Sequence, residues 1–238
     1  MAGPGRSAVP DVPNQNENFL GALQFADSFF PSGSVAFSWG LEALRTDGEV
    51  SGVAQVAQFL EGQLLHRWSC FDAPLVVAAV RASGKFDRLV DLDDLAESMT
   101  LVAELREGSR RAGASLLKVH SELGTPGAAA YRQRVARREA RGHLPVMQGM
   151  LWQSTGLSEE ACRAVSAHTL CTGIVGAALR LGMIGHLDAQ KIMLQARPML
   201  VELLGLPSAE IEALCAFTPH AEIASMRHEV QDSRLFAN

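Results

Sequence analysis

The sequence predicts an all-α protein, folded as a single-domain helical bundle. Ala and Leu are frequent, whereas the chain holds one Tyr and few runs of β-branched residues. Apolar residues recur at helical spacing along most of the chain, and no strand pair or fixed repeat is evident. Apolar residues make up 47% of the 238 residues, which is enough for one sizeable core.

The two ends of the chain differ from its middle. Residues 1–17 are rich in Pro, Gly and Asn and lack the apolar stretch of a signal peptide, so we expect a mobile N-terminal arm. Residues 18–218 form the predicted bundle, and residues 219–238 form a tail. The four cysteines show no CxxC pair and lie among apolar or helical neighbours, which indicates reduced, buried thiols in a cytoplasmic protein.

Two helices are predicted at the start of the bundle. The first lies in "ENFLGALQFADSFF", where Leu20, Leu23 and Ala26/Asp27 stand at helical spacing, and Pro31 and Gly33 end it. A second helix is predicted from about Ser34. Its apolar face would carry three residues at helical spacing, namely Phe37, Leu41 and Leu44.

Gly40 would lie inside this second helix. A glycine there costs about 1 kcal/mol relative to Ala, so we expect another part of the chain to pack closely against it.

Later segments also read as helices. Two helical pieces are predicted to meet near Asp72–Pro74, because Pro disfavours helix at the residue before it. Ser158 is a good helix start for the apolar segment that follows. Charged and titratable side chains interrupt that segment, which favours a buried central helix over a transmembrane one; they are Arg163, His168 and Arg180.

Charge is unevenly distributed. The net charge is 21 − 26 = −5, which disfavours general nucleic-acid binding. Residues 106–141 nevertheless hold nine Lys/Arg and three Glu, a local excess of +6. This basic band either faces an acidic partner or is a solvated helix surface.

The sequence lacks the motifs that are typical of several kinds of catalytic chemistry. There is no GxxxxGK[ST] loop for nucleotide phosphates and no GxSxG nucleophile motif. "HEVQD" begins at His228 like a zinc-protease helix but has Asp232 where the second His is required. We therefore predict no catalytic residues, no metal ligands and no tightly bound cofactor.

One stretch has an unusual composition. "DSFFPSGSVAFSWGLEAL", residues 27–44, combines aromatic residues, serines, Pro and Gly before a helix-like end. It resembles the N-terminal signature of the UreF family of urease accessory proteins. The matching residues are Asp27, Ser28, Pro31, Gly33, Ser38, Gly40, Leu41 and Glu42.

Further stretches resemble the same family in the same order. They are "WSCFDAPLV", "ELREGSRRAGASLL", "GHLPVMQG", "AALRLGMIGHLDAQ" and the tail "HEVQDSRLFAN". The resemblance covers about residues 18–238. The chain departs from it at Ser34-Val35 and Phe37, where many members have Gly-Phe and a His, and at its last two residues.

The resemblance implies an all-α, homodimeric, non-catalytic scaffold. It implies as partners a UreD/UreH-type accessory protein, the GTPase UreG and apo-urease. Nickel would be the cargo of the assembly and GTP would be bound by the partner. Neither nucleic acid nor membrane is expected as a partner.

The tail is the first predicted partner-binding segment. Ile223, Met226 and Val230 lie at helical spacing, and apolar residues follow at the very end, which suggests docking onto a partner groove. In the family, the Arg that matches Arg234 is implicated in recruiting the GTPase. The predicted contact residues are His228, Glu229, Gln231, Arg234, Leu235 and Phe236. The alternative is a tail that is disordered or folds back on its own domain.

The opening stretch is the second predicted partner-binding segment, through Pro31, Gly33, Gly40 and Glu42. Here the alternative is that Pro and Gly serve helix geometry alone and that Glu42 only pairs with Arg45 on the surface.

Two other functions stay open from the residues alone. The chain could be a helical ligand-binding or repressor-like protein, with residues 132–141 as the candidate recognition helix. It could also be an enzyme with a dispersed His/Glu site, although no motif supports this.

Overall fold

The computed structural model describes residues 15–33, 37–82, 84–229 and 235–236. Within these ranges the chain is helical and contains no strand, which confirms the all-α prediction. The helices are α1 (Gln15–Ala26), α2 (Leu41–Thr46), α3 (Val53–Gln63), α4 (Ala73–Arg81), α5 (Phe86–Met99), α6 (Ala103–Glu122), α7 (Ala128–Ala136), α8 (Leu144–Ser154), α9 (Glu159–Arg180), α10 (His186–Gly205) and α11 (Pro219–His228). A π-helical segment (Leu64–Asp72) joins α3 to α4, and a short 3₁₀ turn (Ile211–Ala213) precedes α11.

Helix α9 is the central helix of the bundle. Its N-terminus is capped by Ser158, whose Oγ accepts a hydrogen bond from the N–H of Ala161 at 3.2 Å. By length and composition alone it could cross a membrane, but 61% of its apolar window is buried inside the domain. α1, α3, α4, α8 and α10 all pack against it. The prediction of a buried central helix is therefore confirmed.

The junction predicted near Pro74 is a change of helix type without a break. The π-helical segment runs directly into α4. The guanidinium group of Arg67 is buried there, 3.4 Å from the Asp72 carboxylate and 5.3 Å from the centre of the Trp39 ring. Burial raises the pKa of Asp72, and the charge of Arg67 opposes that rise.

A buried carboxylate fixes the connection between α7 and α8. Asp93 on α5 accepts the hydroxyl of Tyr131 at 2.7 Å and the N–H groups of Gly142 and His143 at 2.8 Å each. Gly113 on α6 faces this connection, and a Cβ there would collide with the carbonyl oxygen of Gly142. α6 can therefore lie directly against the loop that precedes α8.

The start of the chain differs from the prediction in two places. α1 begins at Gln15, so the last three residues of the expected arm are helical, while residues 1–14 lie outside the described residues. The helix expected from Ser34 is wrong over its described part. Residues 37–40 are not helical, and α2 begins only at Leu41.

Candidate functional site

The opening stretch and the tail meet in one place, which we call the motif–tail junction. Its residues are Gly40 and Glu42 at the start of α2, Glu104 on α6, His228 at the end of α11, and Leu235 with Phe236 beyond it. The sequence predicted Gly40, Glu42 and the tail residues as two separate partner-binding segments. In the folded chain they contact each other.

Glu42 is the centre of the junction. Its side chain points inward and the residue is only 6% exposed, so the alternative of a surface pair with Arg45 is wrong. One carboxylate oxygen accepts the N–H of Leu235 at 2.8 Å, and the other accepts the N–H of Phe236 at 3.1 Å. The second oxygen also lies 3.0 Å from Nε2 of His228.

His228 connects Glu42 to α6. The imidazole is fully buried, and Nδ1 lies 3.1 Å from a carboxylate oxygen of Glu104. Through its two ring nitrogens the imidazole contacts both carboxylates, and these contacts tie together α2, α6 and α11.

Gly40 allows α11 to approach. It precedes α2 with φ of 82°, a left-handed conformation that favours glycine, and Trp39 before it has φ of 57°. A Cβ on Gly40 would lie 2.6 Å from the carbonyl oxygen of Ala221 and 3.0 Å from Oγ of Ser225. Close packing at Gly40 was predicted correctly, but its place inside a helix was not.

The Pro31–Gly33 turn anchors the opening stretch to α6. Oγ of Ser115 donates a hydrogen bond to the carbonyl oxygen of Pro31 at 3.1 Å. Gly33 has φ of 75°, and a Cβ there would lie 2.9 Å from Cβ of Ser115. In the isolated chain, these two residues therefore serve internal packing.

Phe236 packs onto its own domain, as the fold-back alternative described. It is 6% exposed, belongs to the core cluster formed with α9 and α10, and has the guanidinium group of Arg180 4.3 Å from its ring centre. Leu235, by contrast, is 74% exposed. Glu229 is also exposed, and Gln231, Arg234 and Val230 lie outside the described residues. Any contact of these residues with a partner stays a prediction.

Two residues that contact the tail had no predicted role in binding it, namely Glu104 in the junction and Arg180 beside it. Both lie in stretches that carried the family resemblance, but nothing in their local sequence indicates a contact with the tail. Glu104 is 124 residues from His228 in the sequence, and the two side chains come into contact only in the folded chain.

The site offers no metal-binding geometry in the described residues. No group of three or more His, Cys, Asp or Glu side chains there is arranged to hold a metal ion. In the junction, the carboxylates of Glu42 and Glu104 face opposite ring nitrogens of His228, so the imidazole lies between the two carboxylates.

The basic band is largely compensated by neighbouring acidic side chains. On α5, Glu97 pairs with Arg110 at 2.9 Å, and Asp87 and Asp94 pair with other arginines of the band. Those arginines are Arg134 and Arg141. Because these pairs are formed inside the domain, the band is mainly a paired helix surface, and a DNA-binding role is not favoured.

These features define a class: an all-α protein in which a buried cluster of polar side chains holds the last helix and the tail residues Leu235 and Phe236 against the domain. A family sequence profile named UreF matches residues 50–197. The chain is 32% identical over 227 residues to the urease accessory protein UreF of Trichodesmium erythraeum, covering 92% of this chain and 96% of that one. It is 30% identical over 228 residues to that of Haemophilus influenzae (94% and 97%) and 27% identical over 222 residues to that of Actinobacillus pleuropneumoniae serotype 5b (91% and 98%). The chain belongs to the UreF family of urease accessory proteins.

Proposed function

We propose that this protein is a non-catalytic, cytoplasmic scaffold that bridges a UreD/UreH-type accessory protein and the GTPase UreG, so that nickel can be inserted into apo-urease. Relatives of similar length are named as urease accessory proteins, which supports the general role. GTP would be bound by UreG, since this chain lacks a phosphate-binding loop. The chain alone is therefore expected not to hydrolyse GTP.

The outer face of α11 is the observation that carries the proposal. Its inner face consists of small side chains and His228, which let the helix lie against α2. Its larger apolar side chains, Ile223 and Met226, face outward and are 46% and 47% exposed. Leu235 and Phe217 are exposed as well. Apolar side chains clustered on an exposed helix and its flanks are typical of a surface that binds a protein.

The junction gives this surface a fixed position. Glu42 and His228 hold α11, Leu235 and Phe236 against the bundle, so the partner would meet an ordered helix face. A preordered surface loses less conformational entropy on binding than a free tail does. We therefore propose the outer face of α11, with Leu235, as the docking surface for the UreD/UreH-type protein.

The test is co-purification with both partners from the same organism. The double variant Ile223→Asp/Met226→Asp changes exposed side chains and should leave the fold intact. Complex formation is measured by size exclusion with light scattering. We expect the natural chain to form the ternary complex and the double variant to lose it.

The control variant is Leu123→Asp, which places one Asp on an exposed Leu at the far end of α6 from Glu104. It should keep the complex. If the double variant binds as well as the control, the docking surface lies elsewhere. If the natural chain binds neither partner, the bridging role is wrong.

We further propose that the chain forms a homodimer through a second apolar surface. α10 exposes Leu187, Leu194 and Val201, which follow each other at intervals of seven residues on one side of the helix. α1, which packs on the same central helix, exposes Phe19 and Leu23. The substitution Leu194→Glu should convert a dimer to a monomer in light scattering, and Leu101→Glu, at another exposed Leu, should not.

A further inference from the structure

Two of the four cysteines lie next to each other in the fold although they are far apart in sequence. Cys70 lies in the π-helical segment, and Cys215 lies in the stretch that leads into α11. The N–H of Cys215 donates a hydrogen bond to the carbonyl oxygen of Cys70 at 3.1 Å. The prediction that all four thiols are buried is wrong, because Cys70 is partly exposed and Cys215 is exposed.

The local sequence explains why the two segments meet. In a regular α-helix the carbonyl of Cys70 would accept the N–H four residues on, but that residue is Pro74, which has none. The N–H of Cys215 provides a donor from outside the helix. Two residues later, the N–H of Phe217 donates to the carbonyl oxygen of His66 at 2.9 Å, so the stretch is fixed to the π-helical segment at two points.

This geometry fits a disulfide. A main-chain hydrogen bond of 3.1 Å keeps the two Cα atoms within about 7 Å of each other. A disulfide joins Cα atoms separated by about 4.4–6.8 Å. Cys215 lies outside the helices, so its side chain can adjust without breaking a helix.

We propose that Cys70 and Cys215 form a reversible disulfide that fastens the chain before α11 to the π-helical segment. The oxidant is a peroxide. One thiolate attacks the peroxide, giving a sulfenic acid and water. The other thiol then attacks the sulfenic sulfur and releases a second water, so that two thiols and one H₂O₂ give one disulfide and two H₂O.

The two thiols are close enough to affect each other. Desolvation raises the pKa of Cys215, and interaction with the Cys70 thiol adds to that rise. Either thiol can react with peroxide first, and the other then closes the bond. The bond would restrain the chain next to α11, the helix that carries His228 and the proposed docking surface.

The remaining cysteines serve as internal controls. Cys162 and Cys171 are fully buried, and burial raises the pKa of each thiol to about 12. Neither should react with peroxide while the domain is folded.

The test exposes the folded, full-length chain to hydrogen peroxide and then blocks free thiols with an alkylating reagent. We expect the loss of two accessible thiols per chain, a peptide that links Cys70 to Cys215, and recovery of both thiols with a dithiol reductant. The variant Cys215→Ser should instead give a sulfenic acid at Cys70, detected with dimedone, and no internal link.

Three outcomes would overturn the proposal. In the first, Cys70 and Cys215 stay free in the natural chain under peroxide treatment that oxidises Cys70 in the Cys215→Ser variant. In the second, the disulfide links two different chains instead of forming within one. In the third, Cys70 is not oxidised in either protein.

Discussion

Two buried carboxylates in this molecule perform the same chemistry in different topological settings. Asp93 accepts two main-chain N–H groups from the connection between α7 and α8 and the hydroxyl of Tyr131 on α7. Glu42 accepts two main-chain N–H groups of the tail and faces His228. The segment held by Asp93 continues into helices on both sides, whereas Leu235 and Phe236, held by Glu42, lie outside the helices.

The difference shows that the same kind of carboxylate contact can hold one segment as firmly as the folded domain itself and another segment so that it can detach locally. Detaching the α7–α8 connection from Asp93 opens the core between α5, α6 and α8. Detaching Leu235 and Phe236 from Glu42 exposes one aromatic ring and leaves the cores between the helices closed. We therefore expect the junction to open locally, well below the free energy of global unfolding, and the Asp93 contact to open only with the domain.

The largest effect is expected for Asp93→Ala. The substitution leaves two buried N–H groups and the Tyr131 hydroxyl without their acceptor, which should lower the free energy of unfolding by about 3–5 kcal/mol. Urea unfolding at equilibrium measures it. The control is Asp94→Ala, next in sequence but exposed and paired only with Arg141, which should cost less than about 1 kcal/mol. Equal losses in both variants would refute the special position of Asp93.

The second effect is a pH dependence of the free energy of unfolding, caused by His120. The side chain is buried against Phe25 and Phe30, and burial lowers its pKa from 6.5 to about 4. As pH falls from 7 to 4, the unfolded chain binds a proton that the folded chain does not. The free energy of unfolding should therefore decrease, by up to about 3 kcal/mol.

The variant His120→Phe removes this group while keeping an aromatic ring. The difference between its unfolding free energy and that of the natural chain should change across this pH range. A constant difference would show that His120 does not titrate in this way.

A smaller effect is expected for Gly40→Ala, which acts on the junction. The new Cβ would overlap the carbonyl oxygen of Ala221 in a backbone with positive φ, costing about 2–3 kcal/mol. Gly48→Ala is the matched control, since Gly48 has φ of 74° but nothing within 4 Å of a Cβ. It should cost only about 1 kcal/mol for the left-handed backbone. If both variants lose the same stability, α11 does not depend on close approach at Gly40.

How much of this could be predicted depends on how local each signal is. Apolar periodicity is a property of neighbouring residues, so the central helix α9 and its start at Ser158 were predicted from sequence. The helix expected from Ser34 failed because the left-handed conformation of Gly40 is tied to contact with α11, about 180 residues later.

The junction could be predicted only as two separate segments. The resemblance to the UreF family singled out both the opening stretch and the tail, but it did not show that they touch. Glu42 and Arg45 stand at the spacing of a helix surface pair, yet the inward direction of Glu42 is set by His228, 186 residues away. Side-chain directions of this kind follow from tertiary packing.

The smallest effect on stability is expected for Phe236→Ala. Loss of the buried ring and its contact with Arg180 should cost about 1–2 kcal/mol of local stability in the tail, with little change in global unfolding. Limited proteolysis should cut the C-terminus faster in this variant. Leu235→Ala, at the exposed neighbour, should leave the rate of this proteolysis unchanged. A faster rate in Leu235→Ala as well would contradict the claim that Phe236, and not Leu235, packs inward.

The most direct measurement is amide hydrogen exchange of Leu235 and Phe236, compared between the natural chain and Glu42→Gln. We predict that both amides are protected in the natural chain and exchange much faster in the variant, while the amides of Gly142 and His143, held by Asp93, are unaffected. If Leu235 and Phe236 already exchange as fast as an unfolded peptide in the natural chain, Glu42 does not hold the tail and the motif–tail junction does not exist in solution.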